Sequence, residues 1–169
     1  MIKLDLIACL KFMLAARGYT ISSYAHRINL SAQGFHSALK KGSFMLLKDI
    51  VTVGNDLDYK TEIYLKIYES QNSADSIFCE GNLDTIDLSE CLKTMFKYKK
   101  ITVASYARRK NISRQGYYRL LNNEKFRLLK NFVTISRDIG FDVSIHITIS
   151  DNLAGAGAGI VFREGVLDV

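Results

Sequence analysis

Two clusters of hydrogen-bonding side chains carry the most specific chemistry in this chain. One holds Gln33, His36, Ser37 and Lys40; the other holds Arg114, Gln115, Tyr118, Arg119 and Asn122. In the first, Phe35, Ala38 and Leu39 fall between them at steps of three and four. A helix with that spacing turns the apolar residues inward and the polar ones out. A glutamine amide can bond bidentately to adenine and an arginine guanidinium to the acceptor edge of guanine, each giving roughly 1–3 kcal/mol of discrimination. Gln33, His36, Ser37, Arg114, Gln115, Tyr118 and Arg119 are thus the candidate base readers. Arg27, Lys40, Lys41, Lys99, Lys100, Arg108, Arg109 and Lys110 are the candidate phosphate ligands, which fix position without reading sequence. On an ordinary solvated helix face the same residues would bind nothing. No comparable constellation supports catalysis. The chain has no phosphate-binding glycine loop and no Cys or His pair at metal spacing, and His26, His36 and His146 are scattered. A non-enzyme without metal or cofactor is expected.

The two clusters are copies of one another. Residues 5–69, moved along by 82, fall without a gap on residues 87–151, and about 25 of the 65 positions are identical. Ser23-Tyr24-Ala25 meets Ser105-Tyr106-Ala107, Gln33-Gly34 meets Gln115-Gly116, and Leu46-Leu47-Lys48 meets Leu128-Leu129-Lys130. A repeat of this length is too long for a solenoid and right for a small domain.

Charge is segregated along the chain, whose formal net charge is +6. No acid lies between Leu6 and Lys48, and twelve bases with one acid, Glu124, lie between Cys91 and Lys130. Glu69–Glu90 holds six acids and no base. Basic faces of this kind meet phosphate or an anionic surface. Three cysteines make no disulfide framework, so a reducing cytoplasm is expected. The apolar run Leu6–Ala16 resembles an export signal, but its copy at Leu88–Tyr98 lies inside the chain, which makes it a structural helix. No segment reaches the roughly 18 apolar residues of a membrane span.

Within a repeat the spacing predicts four helices and a strand. The first helix spans Asp5–Arg17 and ends at Gly18. Thr20 and Thr102 cap the second, Ile21–Ile28 or Val103–Lys110, and Asn29 and Asn111 follow in a left-handed turn. Ser31 and Ser113 cap the third, reaching about Lys41 and Asn123. The fourth spans Phe44 to about Asp56 and Phe126 to about Asp138, and alternating apolar residues then predict strands at 59–68 and 141–150. Gly34 and Gly116 cost helix stability of order 1 kcal/mol, so close approach of backbone or DNA is expected there.

The second and third helices with their three-residue turn resemble the phage-repressor, Cro-like (XRE-type) helix-turn-helix superfamily. Ala25 and Ala107 stand at the helix crossing, Asn29 and Asn111 at the turn. Tyr24, Leu30, Phe35 and Ala38, with Tyr106, Ile112, Tyr117 and Leu120, stand at the buried places. Asn replaces the family's usual Gly at the turn, and Lys110 stands where an apolar residue is common. The resemblance implies a mainly α fold with a small central β-sheet. In it, two lambda-repressor-like units are related by pseudo-two-fold symmetry, with strands 59–68 and 141–150 paired antiparallel. It also implies that the third helices, 32–41 and 114–123, enter the major groove of double-stranded DNA. The arrangement is similar to internally dimeric helix-turn-helix proteins of conjugative plasmids.

The expected organisation is repeat 1 at 1–69, an acidic linker at 70–86, repeat 2 at 87–151, and a Gly-rich hinge with a short strand, Ile160–Phe162, at 152–169. The chain would act as a monomeric internal dimer on an imperfect inverted repeat with half-sites roughly 34 Å apart. Its role would be that of a transcriptional repressor or a transfer or recombination accessory factor of a phage or plasmid. The alternative is a helix-turn-helix scaffold that binds protein, such as an inhibitor of a host nuclease. The second copy is the more basic, with Arg114 and Arg119 replacing Ala32 and Ser37, and would supply most of the affinity.

Overall fold

Short polar side chains start the helices by meeting the unpaired N–H groups of the first turn. The computed structural model describes residues 5–40, 43–70, 77–151 and 161–167, with Ala38 and 161–167 as backbone alone. Asp5 Oδ1 accepts from Ile7 and Ala8, both at 3.0 Å, and opens α1 (Leu6–Ala16). Asp87 does the same for α5 (Leu88–Tyr98) through Ser89 at 2.9 Å and Glu90 at 3.0 Å. Thr20 with Ser23 and Thr102 with Ser105 form reciprocal capping boxes at the starts of α2 (Ile21–Arg27) and α6 (Val103–Arg109). The remaining helices are α3 (Ala32–Leu39), α4 (Ser43–Asp56), α7 (Arg114–Leu121) and α8 (Lys125–Asp138). The expected helices all form, within about two residues of their expected ends, the variation normal at fraying termini.

The turns repeat as faithfully as the caps. Positive φ occurs at Gly18 and Lys100, at Asn29 and Asn111, and at Asp58 and Gly140, each pair 82 positions apart. Lys100 (φ 54°) and Asp58 (φ 60°) therefore hold a left-handed conformation where the other repeat has glycine. That costs them energy, which the hydrogen bonds of the turn offset. Ile101 N–H donates to Phe96 O at 3.0 Å and Lys100 N–H to Lys97 O at 3.1 Å, closing the end of α5.

The fold is mixed, with eight helices and a small sheet of four strands among the described residues. The strands are β1 (Tyr59–Glu69), β2 (Ile77–Asn82), β3 (Phe141–Asp151) and β4 (Val161–Leu167), in the order β2-β1-β3-β4. The two expected strands are thus neighbours, and each buries alternate residues: Ile63, Leu65 and Ile67 in β1, Ile145, Ile147 and Ile149 in β3.

The segment expected to be an acidic linker contains a strand. Its residues 77–82 form β2, antiparallel to β1, with Leu65 opposite Gly81, Ile67 opposite Cys79 and a register shift between Ile67 and Tyr68. The edge of β1 needs partners for its peptide groups, and this short stretch supplies them. Residues 71–76 of the linker, Lys41 and the hinge at 152–160 lie outside the described residues. The C-terminal strand is β4, longer than expected.

The chain divides into two compact units, one of Met1–Ile63 with His146–Val169, the other of Tyr64–Ile145. The division falls inside β1 and β3, so each unit joins the helices of one repeat to a strand end of the other. In the first unit α1 packs on α4 over Leu10, Met13, Leu14, Leu47 and Ile50. Arg17, at the end of α1, donates Nη1 and Nη2 to the Asp151 carboxylate at 2.9 and 2.6 Å and Nε to Leu57 O at 3.0 Å. Its guanidinium lies 4.3 Å from the centre of the Tyr59 ring.

The second unit repeats this with different chemistry. There α5 packs on α8 over Leu92, Met95, Phe132 and Ile135. Lys99, 82 places after Arg17, pairs with Glu69, 82 places before Asp151. The Tyr98 hydroxyl donates to the same carboxylate at 3.0 Å. Lys99 and then Tyr98 hold the Glu69 carboxyl below its ordinary range, although burial opposes them.

Candidate nucleic-acid interface

Each unit contains a helix pair, α2 with α3 and α6 with α7, whose crossing and turn are tightly specified. Ala25 and Ala107 are 0% and 3% exposed, and a larger side chain there would force the helices apart. The turn that follows is the same in both. Leu30 N–H donates to Ala25 O at 2.8 Å and Asn29 N–H to His26 O at 3.1 Å; Ile112 donates to Ala107 O at 2.9 Å and Asn111 to Arg108 O at 3.1 Å. This is a Schellman closure with asparagine at the left-handed place. Ser31 Oγ and Ser113 Oγ then accept from Gly34 and Gly116 N–H at 3.0 and 2.9 Å.

Buried aromatics hold the pairs against the rest of each unit. Tyr24 stacks edge-on against Phe35 at 5.8 Å and donates its hydroxyl to Asp56 Oδ2 at 3.0 Å. Tyr106 meets Phe96 at 5.4 Å and Tyr117 at 5.9 Å, and donates to Asp138 Oδ2 at 2.8 Å. Burial first, and the carboxylate second, pushes the Tyr24 phenol up to about 12 and Tyr106 further still, so both remain donors. Burial opposes ionisation of Asp138, but hydrogen bonds from Lys110 and Tyr106 outweigh it and hold that carboxyl below its ordinary range.

On the outer faces, Gln33, His36, Ser37 and Lys40 are exposed on and just beyond α3, over buried Phe35 and Leu39. Arg114, Gln115, Tyr118, Arg119 and Asn122 are exposed on and just beyond α7, over buried Tyr117. Ala32 is half-buried. Three apolar expectations need correcting. Leu30, in the turn between α2 and α3, is 49% exposed, not buried. Ile112 and Leu120 are half-buried, not buried. The expected burial of Ala38 lies outside the described side chains.

The cations divide into two sets. Lys99 is drawn into its pair with Glu69; Lys110 pairs with Asp138 at 2.5 Å, Arg109 donates to Asp138 O at 3.1 Å, and Arg27 reaches Asp56 at 3.4 Å. Among the described residues no ion pair holds Lys40, Lys100, Arg108, Arg114 or Arg119, and all five are exposed. Arg108 and Arg114 flank an open cleft of about 450 Å³ that Asn111 and Ser113 also line.

Sequence reasoning missed the residues that fix the end of α7. Asn131 Nδ2 donates to Leu120 O at 2.7 Å, and Asn123 Nδ2 to Arg119 O and Leu120 O at 2.8 and 3.0 Å. Asn131 stands eleven residues from its acceptor. No local pattern announces such a bond.

Around the Cβ position of Gly34 and Gly116 the nearest atoms are Ser31 Oγ at 3.0 Å and Ser113 Oγ at 3.2 Å, with Ile112 Cβ at 3.8 Å from the latter. Among the described residues, no backbone from outside the helix makes the expected close approach. Among the described residues no group of three or more His, Cys, Asp or Glu could hold a metal ion, and no helix is long and apolar enough to cross a membrane. No family model, curated protein or solved structure matches the chain.

Proposed function

We propose that this chain is a sequence-specific double-stranded DNA-binding protein built from two lambda-repressor-like helix-turn-helix units with pseudo-two-fold symmetry, reading the major groove with α3 and α7. One observation carries the reading: a helix pair with a sealed alanine crossing and an asparagine turn recurs, each time leaving a glutamine and further polar side chains exposed near the start of its second helix. The pseudo-symmetry is supported by the reciprocal pairs Arg17–Asp151 and Lys99–Glu69, the pattern of a two-fold interface in which residue i meets j and j meets i.

In this reading Gln33, His36, Ser37, Arg114, Gln115, Tyr118 and Arg119 read bases. Lys40, Lys100 and Arg108 lead the phosphate contacts, with Lys41, Arg27, Arg109 and Lys110 beside them. Lys99 is spent on Glu69. The target is an imperfect inverted repeat with half-sites about one helical turn apart, and the biological role is that of a repressor or a transfer or recombination accessory factor of a mobile element.

The test is selection of duplexes from a random pool by the full chain at moderate salt, followed by anisotropy titration against competitor DNA. A single enriched site with two related halves is expected, bound roughly 10³-fold or more tightly than competitor. Enrichment of no sequence, with affinity set by salt alone, would overturn the reading. If the chain ignores DNA but captures a nuclease, the protein-binding alternative replaces it.

A further inference from the structure

Cys79 on β2 and Cys91 on α5 bring their sulfur atoms to 3.1 Å, within one compact unit. Both are free thiols and both are partly exposed, whereas Cys9, the counterpart of Cys91 in the first repeat, is 3% exposed. Cys79 belongs to β2, outside the aligned segments.

The surroundings hold the two sulfurs together. Next to Cys79, Phe78 packs its ring on Tyr98 at 5.3 Å and on Phe141 at 4.8 Å. Tyr98 lies two turns along α5 from Cys91, so β2 crosses α5 at two points, one aromatic and one thiol. Opposite Cys79 on β1, Ile67 is fully buried. A disulfide needs its sulfurs about 2.05 Å apart, a closure of roughly 1 Å from where they stand.

We propose that Cys79 and Cys91 form a redox modification site, which a peroxide converts to an intramolecular disulfide that ties β2 to α5. The Cys79 thiolate attacks one peroxide oxygen, the O–O bond breaks, and Cys79 becomes a sulfenic acid as hydroxide leaves. Cys91 sulfur then attacks the Cys79 sulfur and expels the sulfenic hydroxyl, which leaves as water with the Cys91 proton, while the hydroxide from the first step takes up the proton Cys79 had lost. In balance, two thiols and one hydrogen peroxide give one disulfide and two waters. Burial, and then the hydrogen bond with Cys79, pushes the Cys91 thiol up, which disfavours Cys91 as the sulfur that meets peroxide first. A thiol reductant reverses the product.

The full-length protein is treated under native conditions with hydrogen peroxide, alkylated, and analysed by intact mass and peptide mapping. The expected result is loss of two hydrogens, a Cys79–Cys91 linked peptide, one remaining alkylatable thiol at Cys9 after unfolding, and full reversal by dithiothreitol. The oxidised protein should melt several degrees higher than the reduced one. Cys91→Ala should lose the disulfide and the thermal shift, while Cys79 becomes trappable by a sulfenic-acid reagent. Oxygen adducts in place of the disulfide, a link to Cys9 or between chains, or no reaction of the wild-type protein would each overturn the proposal. The wild-type mass measurement decides the matter even where a variant folds poorly. Failure of DNA binding would leave this result untouched, since neither thiol lies on the proposed reading faces.

Discussion

Replacing Asp151 by alanine should weaken the set of helices farthest from it in sequence, α1 to α4, and spare α5 to α8. Breaking a fully buried ion pair costs about 3–5 kcal/mol, because the surviving charge is left without solvent or partner. Here the side chains of Arg17 and Asp151 keep 19% and 13% of their exposure, and Arg17 retains Leu57 O and the Tyr59 ring. The expected cost is therefore about 2 kcal/mol, which for a chain of this size is a fall in Tm of roughly 4–8 °C. Asp151→Asn, which keeps one acceptor, should cost about half as much. Replacing Arg17 by methionine in the Asp151→Ala background should recover part of the loss, since no stranded charge then remains. Urea unfolding measures the total, and hydrogen exchange read by peptide locates it. Faster exchange is expected at the end of α1 and around Leu57–Tyr59, where the pair anchors the chain. If exchange instead accelerates in α5 or α8 while α1 is unchanged, the assignment of Asp151 to the first unit is wrong.

Further outcomes are expected, those on DNA affinity resting on the proposed function. Arg114→Ala with Arg119→Ala should weaken DNA binding far more than Gln33→Ala with Lys40→Ala, each base contact being worth roughly 1–3 kcal/mol, and anisotropy titrations giving equal losses would refute the asymmetry. Lys100→Ala or Arg108→Ala should lower the slope of log affinity against log salt by about 1 each, whereas Lys99→Ala should lower thermal stability; a larger salt effect from Lys99 would refute that division. Gly116→Ala should change stability by less than the roughly 1 kcal/mol of helix propensity it gains, because its methyl carbon would sit 3.2 Å from Ser113 Oγ. A tenfold loss of DNA affinity is expected beside it, and undiminished affinity would mean that the glycine serves the cap alone. Asp138 holds a carboxyl below its ordinary range, so its contribution is complete above about pH 4 and is lost as pH falls through the lower, folded-state value. Asp138→Asn should therefore lose less Tm than wild type between pH 5 and pH 3, and parallel acid curves would exclude the effect.

How much could be read in advance depended on distance along the chain. The caps at Thr20 and Thr102 act within three residues, and the asparagine turns close over five, so residue type and spacing were enough to place them. The outward faces of α3 and α7 were legible for the same reason, since helical period alone separates Gln33 from Phe35 and Arg119 from Tyr117. β2 was not legible: Ile77–Asn82 is short, contains Gly81 and Glu80, and is a strand only because β1 has an open edge beside it. Nor was the exposure of Leu30, since an apolar side chain beside a turn gives no local sign of what covers it.

Read by itself, the sequence determined the duplication, the helices and their turns, and which side chains each helix shows to solvent, because those follow from local bonds and local period. Only the tertiary structure decided that Arg17 belongs with Asp151 and Lys99 with Glu69, and that Cys79 meets Cys91. Those partners lie 12 to 134 residues apart. Charge and size at either end are equally compatible with many partners, and within each unit it is the strand end from the other repeat that selects one.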